Sequence, residues 1–211
     1  MPNWCMNTLT LKHEDPAMVE RALNAFNEGK LLNEFVPIPE SLHIVAGSVG
    51  DGDEQAALEA QTELNRKTHG YGNWYDFCVA EWGTKWDVGG DGCDPIAEDG
   101  SLSVTFESAW APPLMAYEKM AEMGFDIRAM YYEPGMAFAG TWTNDGGDEY
   151  YEYGDLSSEQ VAEELPEELD AEFGISEQIA EWEAEQAEDE FEDIDLDGGL
   201  SAINEQDQLK E

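Results

Sequence analysis

Asn7-Thr8-Leu9-Thr10-Leu11-Lys12 alternates apolar and polar side chains, the period-two pattern of a strand with one buried face. Asp15-Pro16 follows, an N-cap residue with proline at the first helical position. Met18, Val19, Ala22, Leu23 and Phe26 then fall on one helical stripe that Gly29 ends. Phe35-Val36-Pro37-Ile38-Pro39 reads as extended, because each proline drives its predecessor away from helix. Residues 46–53 read as a loop. Glu54–Lys67 predicts a polar helix with Ala57, Leu58, Gln61 and Leu64 on one side, and Trp74–Trp82 a short helix packed by its aromatics. A strand is expected over Thr84–Val88, then a Gly/Asp-rich turn. Leu102–Glu107 alternates again. Pro112 opens a helix carrying Leu114, Met115, Met120 and Met123, which Gly124 ends. Phe125–Tyr132 predicts a long strand, Glu133-Pro134-Gly135-Met136 a type II turn, and Ala137–Thr143 a returning strand.

With residues 31–80 set aside as an insertion, this order reduces to βαββαβ and one extra strand. The expected class is α+β: a ferredoxin-like split βαβ with an antiparallel sheet, helices on one face, a helical insertion and an acidic helical C-terminal extension. That fold name implies no iron–sulfur cluster, since three scattered cysteines cannot supply four thiolates.

Charge divides the 211 residues. Residues 1–147 hold 24 acids and 8 bases; residues 148–211 hold 25 acids and only Lys210. The expected organisation is a ferredoxin-like domain over 1–147 and an acidic, partly helical extension over 148–211. The whole chain carries a formal net charge of −40, which repels phosphate and argues against direct binding to nucleic acid or an anionic membrane. The fitting macromolecular partner is a basic protein, above all one that normally holds nucleic acid. No apolar run approaches the roughly 18 residues of a membrane span, and Met1–Asn7 lacks the pattern of a signal peptide. Cys5, Cys78 and Cys93 are odd in number and far apart, as in a reducing compartment. A cytoplasmic location is expected.

Three stretches carry a resemblance: Pro2-Asn3-Trp4-Cys5-Met6-Asn7; Trp74-Tyr75-Asp76-Phe77-Cys78 leading to Trp82-Gly83-Thr84-Lys85-Trp86-Asp87; and Phe106-Glu107-Ser108-Ala109-Trp110-Ala111-Pro112-Pro113. Over residues 1–143 the chain resembles the YubB-like (Api-like) family of small plasmid and bacteriophage proteins. The resemblance implies a ferredoxin-like domain and a mobile-element origin. The family brings no assigned activity, so no catalytic residue is carried over, and the extension lies outside it.

Trp82, Lys85, Trp86 and Trp110 are candidates for a pocket, since aromatic walls and one cation suit a flat ligand or a carboxylate. The competing reading, which the lack of adjacent converging polar groups favours, is that these tryptophans fill the space between sheet and insertion. The glycines at 47–50 and 89–92 match neither a P-loop nor a dinucleotide fingerprint. His13, His43 and His69 stand alone, without metal spacing. Cys93 is flanked by acids, which disfavour its thiolate. No catalytic residue, enzymatic activity or cofactor is expected.

In the extension, Ser157-Ser158-Glu159-Gln160 predicts a capping box. Val161, Leu165 and Leu169 follow at helical spacing, Pro166 breaks the helix, and Ser176 caps another with Ile179 and Trp182 on its apolar side. Glu181–Asp197 contains 10 acids in 17 residues, or one charge per about 2.5 Å of helix. That lies between the roughly 1.7 Å of duplex DNA and the roughly 3.4 Å of a single strand, within the nucleic-acid range. The expected partner-binding residues are Glu181, Glu185, Glu188, Asp189 and Glu192. The expected function is a non-enzymatic DNA mimic that inhibits a host nucleic-acid-binding or defence protein. The alternatives are a ligand-binding or enzymatic domain built on the tryptophans, and a structural domain whose tail only confers solubility.

Asp193, Asp195 and Asp197 occupy positions one, three and five of an EF-hand-like loop, but Asn204 stands at position twelve where a bidentate Glu is needed. Calorimetric titration with Ca²⁺ to several millimolar is therefore expected to stay flat. Binding heat that Asp195→Ala removes would establish the loop as a site.

Overall fold

A computed structural model describes residues 3–90 and 96–187. The chain divides into two compact units, Met1–Glu152 and Tyr153–Glu211.

In the first unit, β1 (Trp4–Lys12) leads through α1 (Pro16–Asn27) to α2 (Leu31–Phe35), a 3₁₀ turn at Glu40–Leu42, α3 (Asp53–His69) and α4 (Trp74–Glu81). Then come β2 (Leu102–Ala109), α5 (Leu114–Glu122), β3 (Asp126–Glu133), β4 (Phe138–Thr143) and β5 (Gly147–Glu152). Asp15 caps α1 by accepting from the Ala17 amide, with Pro16 in the first turn. The five strands form one sheet in the order β2-β1-β3-β4-β5, with every neighbouring pair antiparallel. β2 and β3 flank β1 and are joined through α5, which is the split βαβ of a ferredoxin-like fold. The expected α+β class holds.

The expected strand over Thr84–Val88 does not form. Its backbone bonds to helices: the Leu31 amide donates to the Val88 carbonyl and the Gly90 amide to the Phe26 carbonyl. The Asp87 carboxylate accepts from the amides of Leu32 and Asn33 at 2.7 and 3.0 Å, satisfying the open N-terminus of α2. With the Val88 carbonyl, the Gly90 amide and the Asp87 carboxylate so committed, the segment is bonded to α1 and α2 and not to the edge of β2. The sheet grows instead at its other edge, through β4 and β5. β5 lies beyond the charge boundary near residue 147, because its pairing partner is β4 whatever its charge.

A single core joins sheet, helices and insertion. Leu9, Leu11, Val104, Ile127 and Ala129 pack from the sheet, Val19, Ala22 and Phe26 from α1, and Ala116, Tyr117 and Met120 from α5. Leu31, Leu32, Phe35, Leu42, Phe77 and Trp82 belong to the same cluster, so the insertion has no separate core. Trp74 packs against the cluster partly buried, and Tyr75 is half-buried beside Trp74.

Three local expectations change. The inward side of α3 is Leu58, Gln61, Thr62 and Asn65, with Ala57 and Leu64 exposed. Asn65 is buried because its amide donates to the carbonyls of Ser41 and Gly72, a polar anchor that apolar periodicity misses. On α5, Met115 and Met123 are exposed, and the buried side is Ala116, Tyr117 and Met120. The turn after β3 is not type II: positive φ falls on Ala137 (55°) and not on Gly135. The Glu133 carboxylate takes the amides of Gly135 and Met136 and sets that geometry.

In the second unit, α6 (Ser158–Glu164) begins with a complete capping box between Ser157 and Gln160. Leu165-Pro166 separates it from α7 (Glu167–Phe173), which ends at left-handed Gly174. A further helix, α8, covers residues 175–187. Ser176 is not its cap; the Ser176 amide and hydroxyl both donate to Asp170, tying α8 to α7. Glu183 accepts from the amide and hydroxyl of Ser158, tying α8 to the start of α6. Val161, Leu165, Leu169 and Ile175 are buried, Ile179 is half-buried and Trp182 is 60% exposed.

Gly140 is the most closely approached glycine of the sheet. A Cβ there would lie 2.2 Å from the Tyr131 hydroxyl, which itself donates to Asp148 at 2.6 Å. Gly140→Ala is expected to cost about 1–3 kcal/mol by overpacking, read as a lower urea midpoint at unchanged m-value.

Candidate functional site

The six residues Trp82–Asp87 divide sharply by direction. Trp82 is 2% exposed and donates its indole N–H to the Val36 carbonyl at 2.9 Å. Gly83 adopts φ 87°, and a Cβ there would meet the Pro112 carbonyl at 3.2 Å. Thr84 is buried and donates its hydroxyl to the Ala109 carbonyl. Together they clamp the end of α4 onto the Pro112-Pro113 start of α5, while Asp87 holds α2. Only Lys85 and Trp86 face outward.

Lys85 lies over three rings: its Nζ is 4.6 Å from the centroid of Trp86, 5.4 Å from Trp110 and 5.7 Å from Tyr75. Trp4 extends the group, 5.9 Å from Trp86 and tilted against it. Trp4, Trp86 and Trp110 are each about two-fifths exposed. Trp110 has φ 71°, a left-handed conformation costly for a bulky side chain. It is held there from both sides: its amide donates to the Asn3 carbonyl, and Ser108 bonds to the Ala111 carbonyl while accepting from Asn7. Of the four sequence candidates, Trp82 is therefore core, and Lys85, Trp86 and Trp110 converge on the surface. Trp4 and Tyr75 join them unforeseen; their outward direction depends on the register of β1 against β2 and on the turn before α4.

Beside Lys85 and Trp86 runs a groove of about 420 Å³, with Trp74, Ile38, His43 and Lys30 among its lining residues. Asp87 also borders it, but both of its oxygens are occupied by backbone amides. Burial raises the Asp87 pKa above the ordinary carboxylate value, against the lowering effect of those amides. A carboxyl with a raised folded pKa destabilises the fold as pH climbs from the unfolded value through the folded one.

The remaining candidates disperse. His13 accepts the Asp15 amide at Nδ1, and its Nε2 lies 3.1 Å from the Met123 carbonyl. His69 bonds Ser41. Among the described residues no group of three or more His, Cys, Asp or Glu side chains is placed to hold a metal. Burial pushes the thiols of Cys5 and Cys78 up to about 12. Glu181 and Glu185 are exposed on α8. Glu188, Asp189 and Glu192, the loop acids Asp193, Asp195 and Asp197, and Cys93 lie outside the described residues. No described helix is long and apolar enough to cross a membrane.

The geometry defines an α+β, ferredoxin-like domain with an outward aromatic group, followed by an acidic helical unit. No family model matches the chain and no curated protein matches it. Among solved structures, the chain is similar to the crystal structure of a protein api92 from Yersinia pseudotuberculosis, which carries the family-model description DUF1281. The likeness has a TM-score of 0.37 at 14% identity and covers 73% of this chain and 99% of that one, a level that carries no argument about function.

Two outcomes follow from the burial pattern. Trp82→Phe is expected to lose about 1–3 kcal/mol of stability, whereas Trp86→Phe changes it by less than about 0.5 kcal/mol; thermal melts distinguish them. In a Cys93→Ser protein, Cys5 and Cys78 are expected to resist a thiol reagent at pH 8 until denaturant is added, since neither thiolate is populated there.

Proposed function

We propose that this protein is a non-enzymatic accessory protein of a phage or plasmid, acting in the host cytoplasm. Its acidic helical unit engages a basic, nucleic-acid-binding host protein, such as a component of a defence system, in place of DNA. The supporting observation is the sidedness of the second unit. Residues 153–187 contain twelve acids and no Lys or Arg. Val161, Leu165, Leu169 and Ile175 are buried, while Glu159, Glu163, Glu167, Glu177, Glu181 and Glu185 are exposed. A tail that only confers solubility has no need of a capping box, two serine–carboxylate ties and a buried apolar side. Helices fixed in this way present carboxylates with little ordering cost on binding.

Glu177, Glu181 and Glu185 are spaced by four residues on α8, about 6 Å apart along its axis. Two nucleotide steps of one DNA strand span about 6.8 Å. Lys and Arg side chains arranged for phosphates can therefore meet successive carboxylates through charge-assisted hydrogen bonds. The mobile-element origin rests on the sequence likeness of residues 1–143 alone.

The test uses the full chain as bait in host lysate at low and high salt, with mass spectrometry of what is retained. A basic nucleic-acid-binding protein should be held at low salt, released by duplex DNA, and bound at least tenfold more weakly by the triple variant Glu177→Gln, Glu181→Gln, Glu185→Gln. Binding that neither duplex DNA nor the triple variant disturbs would refute the proposal.

A further inference from the structure

We propose that the groove beside Lys85 binds a small planar anion: an aromatic ring carrying one carboxylate or phosphate monoester. The chain has nine bases against 49 acids, and six of its described cations are spent on carboxylates. Lys12 pairs with Asp99, Arg21 with Glu34, Lys30 with Glu28, Arg66 and Lys67 with Glu63, and Lys119 with Glu81. Lys85 differs from all six. It meets no carboxylate among the described residues and rests against the rings of Trp86, Trp110 and Tyr75. Ring faces attract an ammonium without neutralising it, so its N–H groups stay available to an anion. Asp87, the carboxylate nearest in sequence, is committed to the amides of Leu32, Asn33 and Val88.

The groove supplies the rest of the recognition. Its volume of about 420 Å³ lies within the roughly 300–1,000 Å³ of small-molecule sites. Trp74, Trp86, Ile38 and His43 line it, an aromatic and apolar border with one imidazole, and Lys30, which also lines it, is paired with Glu28. A flat ring fits against the tryptophans while its anion reaches Lys85. The net charge of −40 selects against polyanions at long range. An anion in contact with Lys85 also meets Asp87 at the groove's border, where three backbone amides offset the carboxylate, while charges more than about 8 Å away are largely screened at physiological ionic strength. This site is independent of the acidic helices and of the partner proposed for them.

The probes are 2-naphthoate, 2-naphthyl phosphate and the neutral 2-naphthamide, titrated into the full-length protein by calorimetry and by the indole N–H resonances. At least one anion should bind saturably and shift the signals of Trp74 and Trp86 while sparing buried Trp142. The tighter of the two anions identifies the class of ligand. Lys85→Gln should weaken that anion roughly tenfold, to the level of the amide, and Trp86→Ala should weaken anion and amide alike, with circular dichroism confirming the fold of each. Absence of binding by either anion, equal binding of the amide, or unchanged affinity in Lys85→Gln overturns the proposal.

Discussion

β1 is hydrogen-bonded along both edges, to β2 over Trp4–Leu11 and to β3 over Met6–Lys12. That double pairing fixes the register of everything around it. Cys5, Leu9 and Leu11 face the core at 0% exposure, and Trp4 is turned outward. A shift by one residue would exchange those two sets. The same register brings Ala109 opposite Trp4 and so positions the turn that carries Trp110. Asn7 secures it by bonding Ser108 across the strand pair. The aromatic group around Lys85 is thus assembled from β1, the end of β2 and the α4–α2 joint, segments far apart in sequence.

The joint at Trp82–Gly90 solves a second problem. Where a ferredoxin-like sheet has a further edge strand, this chain places a segment whose amides and carboxylate complete the ends of α1 and α2. The insertion thereby enters the main core through Leu31, Leu32, Phe35 and Leu42. Tyr71, Glu81 and Lys119 form a polar tie between the insertion and α5. These contacts convert a run of aromatic residues into one buried anchor, Trp82, and an exposed group that surrounds a cation.

Charge acts on the two units differently. In the first, most described cations are spent on local ion pairs, which at exposed sites contribute little to stability. The second has no Lys or Arg over residues 153–187, so its helices are held by capping, by Asp170 and Glu183 acting as acceptors for serines, and by burial of Val161, Leu165, Leu169 and Ile175. Glu183, one acid of the negative stretch, is therefore structural. Glu177, Glu181 and Glu185 keep their carboxylates for solvent or a partner.

Local signals settled a large part of this in advance. The alternation at 7–12 and 102–107, the Asp15-Pro16 cap, the Ser157–Gln160 capping box and the break at Pro166 depend on neighbours a few residues away, and each appears in the structure. The absence of a strand at 84–88, the inward Asn65 and the positive φ of Ala137 were not legible. The first two are decided by polar groups from elsewhere, amides of α2 for Asp87 and the carbonyls of Ser41 and Gly72 for Asn65; the turn is set by the side chain of its own first residue, Glu133, which backbone pattern does not reveal. The tryptophans show the division most clearly. Sequence identified Trp82, Trp86 and Trp110 as a group. Burial of one and exposure of the others depended on the Val36 carbonyl, 46 residues away, and on the pairing of β1 with β2. An aromatic side chain carries no local sign of which side it will face; only long-range packing supplies it.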